Sequence, residues 1–175
     1  MNNKIDILFV HPNSSKKVYQ DLSKDFSAIE PPIWAAMLPK VVCLVAYGQQ
    51  PSASTQNMVG IMEIMELLKD SNIIRIYTGP HPSSLPRKTI EDDPGSFVCQ
   101  GEGPKTFESF LQITDYTDNS QLQQVPGLWY NHPDTGQIVS TPPASLITDL
   151  NEELDMLPVE YLDIHRYRTA NWHSW

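Results

Sequence analysis

The chain has 175 residues, enough for one buried core and a small appendage, so a single α/β domain with a tail is the expectation. Its formal net charge of −9 excludes a nucleic-acid backbone or an anionic membrane as the main partner, because both reward clustered Lys and Arg that the sequence lacks. The N-terminus, Met1 to Asp6, has no long apolar core of a signal peptide, and no run nears the roughly 20 apolar residues of a bilayer span, so no membrane association and a cytoplasmic, reducing location are expected.

Ile5 to Val10 is short and almost uninterruptedly apolar, as a strand covered on both faces should be, and His11-Pro12-Asn13-Ser14-Ser15 ends it with turn formers. Lys16 to Glu30 is polar and without period, which predicts a loop over the top of a sheet. Pro31 to Leu38 reads as a helix opened by proline and stopped by Pro39. Val41 to Tyr47 is the next buried strand, and Gly48 to Thr55 reads as a small-residue loop rich in hydrogen-bond donors. Met58, Ile61, Met62, Met65 and Leu68 then fall at helical spacing, with Ser54 or Thr55 as N-cap and Lys69 suited to the C-terminal dipole. This methionine stripe reads as a core face, and Cys43 and Cys99, each inside an apolar run, read as reduced core thiols.

Ile73 to Thr78 forms a strand that ends in Gly79-Pro80-His81-Pro82-Ser83-Ser84-Leu85-Pro86, followed by an acidic helix around Lys88 to Asp93. Ser96 to Gln100 forms the next strand and ends in Gly101-Glu102-Gly103. Two apolar runs that stop in glycine-bearing turns are the pattern of parallel strands delivering loops to one edge, where open α/β sheets bind ligands. Glycine as cap and Pro104 at the first position open a further helix, with Phe107, Phe110, Leu111 and Ile113 on its buried side. A polar stretch, Thr114 to Gln124, leads to Gly127 to Tyr130 and Gln137 to Ser140, which flank turn residues and predict a β-hairpin. The expected division is residues 1–124 as the α/β domain and 125–175 as hairpin, linker and tail.

The ordered phrase Tyr77-Thr78-Gly79-Pro80-His81-Pro82, then Leu85-Pro86, an acidic helix, Phe97-Val98-Cys99-Gln100-Gly101-Glu102-Gly103 and a helix with Thr106-Phe107, resembles the N-terminal cobalamin (B12)-binding domain of B12-dependent radical SAM enzymes. Pro12-Asn13 and the linker Leu154-Asp155-Met156-Leu157-Pro158 match the same pattern. The resemblance implies a flavodoxin-like (Rossmann-like) parallel sheet with flanking helices, plus a C-terminal β-hairpin and an extended tail. Relatives continue the helix begun at Trp34 and add a strand and a helix; here Pro39-Lys40 joins Leu38 to Val41 directly. One βα unit is missing. In a flavodoxin-like order of 2-1-3-4-5 the missing strand is the outer one, which bares the edge at Ile5 to Val10.

By the same resemblance, Tyr47 and Gly48 with Thr78 and Gly79 line a slot for the nucleotide tail, while Pro12, Asn13, Gln49, Pro80 and His81 approach the corrin face. Ser52, Ser54, Gly101, Glu102 and Gly103 belong to the strand-end loops whose room, amides and hydroxyls suit phosphate and ribose. The competing reading is a doubly wound fold whose glycines only make tight turns. The Asp-x-His-x-x-Gly loop that supplies a cobalt ligand in many B12 domains is replaced by His11-Pro12-Asn13-Ser14-Ser15-Lys16, so cobalamin is expected base-off with no protein histidine on cobalt. His11 and His81 read as hydrogen-bonding loop histidines.

Catalytic signals are missing. There is no trio of closely spaced cysteines for an iron–sulfur cluster, so the cluster and S-adenosylmethionine are expected only in a partner or missing domain, and the chain is not expected to be catalytic alone. His132, His165 and His173 are scattered, and Glu91, Asp92, Asp93 and Glu102 read as helix-N-terminal or solvated carboxylates. No GxSxG, P-loop or GxGxxG is present, and no catalytic or metal-ligating residue is named. The leading expectation is a cobalamin-binding module serving a radical SAM, methyl-transfer type of reaction, with Trp172 and Trp175 as the contact to that partner. The second is a degenerate, ligand-free interaction domain that forms a homodimer through its first strand. A third, a transferase acting alone, has no nucleophile or metal site to support it.

Overall fold

The computed structural model describes residues 7–10, 40–47 and 51–153, with the backbone alone at 7–10, 51–54, 56, 150 and 151. The helix expected at Pro31 to Leu38, the loop at Lys16 to Glu30, the linker from Leu154 and the tail tryptophans lie outside the described residues. Six strands form one sheet in sequential order: β1 (Ile7–Val10), β2 (Val41–Val45), β3 (Ile74–Thr78), β4 (Phe97–Cys99), β5 (Leu128–Asn131) and β6 (Ile138–Ser140). The first four run parallel, with Ile7 opposite Val41, Val41 opposite Ile74 and Ile76 opposite Phe97. The hairpin strands β5 and β6 extend the sheet antiparallel, Phe97 facing Tyr130 and Tyr130 facing Val139. This is a flavodoxin-like α/β sheet, and among the described residues β1 has a strand partner on one side only.

Sequential order dictates where the helices go. Each parallel crossover advances the sheet in the same direction, and right-handed connections then place the intervening helices on one face. α1 (Pro51–Leu68) joins β2 to β3, while α2 (Pro80–Ser84) and α3 (Pro86–Asp92) join β3 to β4. Their core is Ile61, Ile64, Leu68 and Ile90 packed on Val42, Leu44, Tyr77 and Val98, the side chains that alternate onto that face of the strands. On the other face α4 (Gly103–Leu111) and the segment through α5 (Asn119–Leu122) bury Phe110, Ile113, Leu122 and Val125 against Val41, Cys43, Ile76, Phe97 and Cys99. Phe97 and Phe110 meet edge to face, with ring centroids 5.2 Å apart.

Several elements depart from their predicted bounds for local reasons. Proline fits a first helical turn, so α1 opens at Pro51 and takes in Ser52 and Ser54, which the sequence assigned to a loop. Within α1 the core positions are Ile61, Ile64 and Leu68, and Met62 faces outward, 46% exposed. The same proline effect makes a short helix of Pro80 to Ser84, also read as a turn, and starts α3 at Pro86. At α4 the cap is Glu102, with Gly103 the first helical residue. The polar stretch after α4 holds α5, whose N-cap Asp118 accepts a 2.9 Å bond from the Ser120 amide.

Candidate functional site

The C-terminal ends of β2, β3 and β4 converge on one edge and carry Ala46-Tyr47, Thr78 to His81, and Gln100 to Gly103. Pairing between the first two exits continues past the strands, because the Ala46 amide donates to Thr78 O at 2.8 Å. Gly79 then turns away at φ +112°, and a Cβ there would lie 2.3 Å from the Ala46 carbonyl oxygen. Backbone therefore fills the space that Gly79 vacates. Gly101 has φ +83° and nothing within 4 Å of a Cβ position, so its turn opens on free space. Gly103 lies between these cases: its Cβ position is 3.9 Å from Thr78 Oγ1, which places the start of α4 beside the end of β3.

The β4–α4 loop is held from beneath. Gln100 donates to Ser83 O at 2.9 Å and accepts from Trp129 Nε1 at 2.8 Å, while the Gly101 amide donates to Ser83 Oγ at 3.3 Å. Ser83 and Gln100 are positioning residues that the sequence reading passed over. Their only sequence signal is polarity beside a glycine turn, since the two partners stand 17 positions apart. Tyr47 is fixed through its carbonyl, which accepts from Asn57 of α1, and its ring is 58% exposed at the edge. His81 Nδ1 lies 2.9 Å from Thr55 Oγ1, which sets the ring orientation against α1. Burial lowers the His81 pKa, with Asp92 working the other way, so the imidazole stays neutral at pH 7.

Of the residues assigned from sequence, Tyr47, Thr78, Gly79, Pro80, His81, Gly101, Glu102 and Gly103 fall on this one edge. Ser52 and Ser54 stand in the first turns of α1, which follows β2. Pro12, Asn13, Gly48 and Gln49 lie outside the described residues. Glu102 caps α4 without a side-chain hydrogen bond, and its carbonyl accepts from Thr106 Oγ1 at 3.2 Å.

The opposite end of the strands is built differently. Arg75 clasps Asp93 with two bonds, Nε to Oδ2 at 2.8 Å and a terminal nitrogen to Oδ1 at 3.0 Å, and Tyr77 donates to the same carboxylate at 2.7 Å. Arg75 and Asp93 are 8% and 5% exposed, which overturns the reading of Asp93 as a solvated carboxylate near a helix N-terminus; it is the C-cap of α3. Burial opposes the Arg75 charge, but the bond and charge of Asp93 outweigh it and the guanidinium pKa is raised; burial, then Asp93, raises that of Tyr77. A cleft of about 240 Å³ also lies at this end, between Ile74, Ser96, Phe97, Tyr116 and Pro133. It is smaller than an ordinary small-molecule site and lies at the edge opposite the one where open α/β sheets bind ligands.

Among the described residues no cluster of three or more His, Cys, Asp or Glu could hold a metal ion, and no helix is long and apolar enough to cross a membrane. Cys43 and Cys99 are fully buried, and burial raises both thiols, so neither is a nucleophile. The chain matches no family model and no curated protein. Solved structures with a similar course include the cobalamin-dependent S-adenosylmethionine radical enzyme OxsB with aqua-cobalamin and S-adenosylmethionine bound, at 18% identity and a TM-score of 0.48, covering 83% of this chain. The same enzyme with aqua-cobalamin alone gives 19% identity, a TM-score of 0.47 and 83% coverage, and its apo, selenomethionine-labelled form gives 17%, 0.47 and 66%. The chain spans between 15% and 21% of the length of those proteins.

Proposed function

We propose that this chain is a cobalamin-binding module, its ligand held against the C-terminal edge of the parallel strands by Tyr47, Thr78, Pro80, His81 and the Gly101–Gly103 turn. The observation that carries the reading is the gathering on one sheet edge of the two phrases that resemble B12-dependent radical SAM enzymes, although 14 residues separate Pro82 from Phe97 in sequence. The residues fit such a ligand unevenly. Gly101 opens on free space, Gly103 stands next to a hydroxyl, and Tyr47 offers an exposed ring, whereas the room expected at Gly79 is filled by Ala46. On this reading the tail slot would lie toward Thr78 and Gly103, where the Gly103 Cβ position is 3.9 Å from Thr78 Oγ1. Bound cobalamin would supply a cobalt centre for carrying a methyl group or assisting a radical step, and the radical chemistry itself would belong to a radical SAM domain or partner with its own cluster. His81 keeps a neutral ring braced by Thr55 and acts as a hydrogen-bonding wall of the site.

The test is the visible spectrum of the protein after incubation with aqua-cobalamin and removal of excess. Retention with a base-off spectrum, weakened in Gly101→Trp and Tyr47→Ala variants that keep the native circular dichroism, is the expected result. No retention by the native chain would overturn the reading. A second reading takes up the pairing of β1 on one side only among the described residues: an interaction domain that dimerises through its first strand. A dimer by sedimentation that is indifferent to cobalamin, with no corrinoid retained, would put that reading first.

A further inference from the structure

After the hairpin the chain returns to the ligand edge and is fastened there at two points. The first is Gly127: its amide donates to Pro142 O at 2.7 Å, and its carbonyl accepts from the Gln100 amide at 2.8 Å. A Cβ on Gly127 would lie 2.9 Å from Gln100 O, 3.1 Å from Thr106 Oγ1 and 3.4 Å from the Ala144 amide nitrogen, so this contact leaves no slack between the β4–α4 loop and residues 142–144. The second is Lys105, in the first turn of α4 and two residues beyond Gly103. Its ammonium donates to Ser145 Oγ at 3.1 Å and Leu146 O at 3.3 Å and pairs with Glu153.

Glu153 is prepared for that pairing. Its Oε1 accepts from the Thr148 amide at 2.9 Å, the Thr148 hydroxyl at 3.0 Å and the Asp149 amide at 3.2 Å, which leaves Oε2 to meet Lys105. Asp149 in turn caps α6 (Leu150–Glu153) by accepting from the Glu152 amide at 3.2 Å. Residues 148–153 thus close on themselves around one carboxylate, and Lys105 joins that closed loop, with Ser145 and Leu146 before it, to α4. Leu146 is 70% exposed, so little apolar burial holds this stretch in place.

We propose that Lys105 is a positioning residue: it locks the strap 145–153 to the first turn of α4, and the lock holds the adjacent Gly101–Gly103 turn in its binding shape. The role in binding rests on the cobalamin reading above, while the lock itself does not. The experiment compares the native chain with Lys105→Met, which keeps most of the stem, and Lys105→Arg, which keeps the charge. Amide hydrogen exchange is measured at residues 145–149 and 101–103, and aqua-cobalamin dissociation is followed in parallel. In Lys105→Met, exchange should quicken roughly five- to tenfold at both segments, and corrinoid release by a similar factor, with Lys105→Arg recovering most of the loss. Faster exchange in the strap alone, with the turn and the corrinoid release unchanged, would overturn the inference. If the native chain retains no corrinoid, the functional reading fails on its own account, and exchange at 101–103 still decides whether the lock exists.

Discussion

The two ends of the parallel strands use polar chemistry in opposite ways. At the N-terminal end Arg75, Asp93 and Tyr77 are buried and spend their hydrogen bonds on one another and on the Ile73 carbonyl, and a bidentate ion pair so enclosed has little left to offer a ligand. At the C-terminal end the bonds of Ser83, Gln100 and Asn57 run beneath the loops to brace their backbone, and Tyr47 and Gly101 are left facing outward. Buried polar groups alone do not mark a site in this fold. The mark is a loop held from below with its upper surface still exposed.

This contrast can be broken most forcefully at Asp93. Asp93→Ala leaves a guanidinium buried without its partner and should cost about 3–5 kcal/mol in urea denaturation. A cost near that of a surface charge would mean the two ends do not differ. Gly79→Ala comes next, at about 3 kcal/mol, since the new methyl meets the Ala46 backbone and the φ of +112° suits only glycine. Gly101→Ala sharpens the comparison: it has the same kind of backbone and no obstruction, so only strain of about 1–2 kcal/mol is expected, with the fold intact. Equal losses at the two glycines would contradict the assignment of one to packing and the other to an open turn.

The smallest expected effect is that of acid on His81. Its folded pKa lies below the unfolded value of 6.5, so the unfolded chain takes up the proton first. Stability should then decline as pH falls below about 6.5 toward the folded pKa, and His81→Gln should flatten that decline in melts at pH 5 and 7. Breaking the exposed pair of Lys88 and Asp92 should shift stability by only about 0.3–0.5 kcal/mol.

Much of this fold was legible because strands and glycine turns are local signals. Val41 to Tyr47 contains β2, Ile73 to Thr78 contains β3, and the hairpin stands where its turn residues put it. Proline misled the reading twice. At Pro51 and Pro80 it opens a helix instead of ending a segment, because its missing N–H is no loss in a first turn. Asp93 was misread for a different reason: in sequence it is one more acidic residue of a helix, and its partners Arg75 and Tyr77 lie 18 and 16 positions away. The candidate edge was readable as a set of glycines, but which glycine is filled and which is open depends on the Ala46 carbonyl, a neighbour that only the strand register supplies.

The sequential strand order bears on how the chain acquires its structure. Ile7 meets Val41, 34 positions on, Val41 meets Ile74 after 33 more, and each later strand likewise pairs with its immediate predecessor. No described strand waits for a partner from the far end of the chain. Loop-closure entropy is met in short instalments, so the sheet can grow by one strand at a time as residues leave the ribosome. Nascent chains that extend through Val125 should therefore already protect β2 and β3 from proteolysis, before the hairpin has been made.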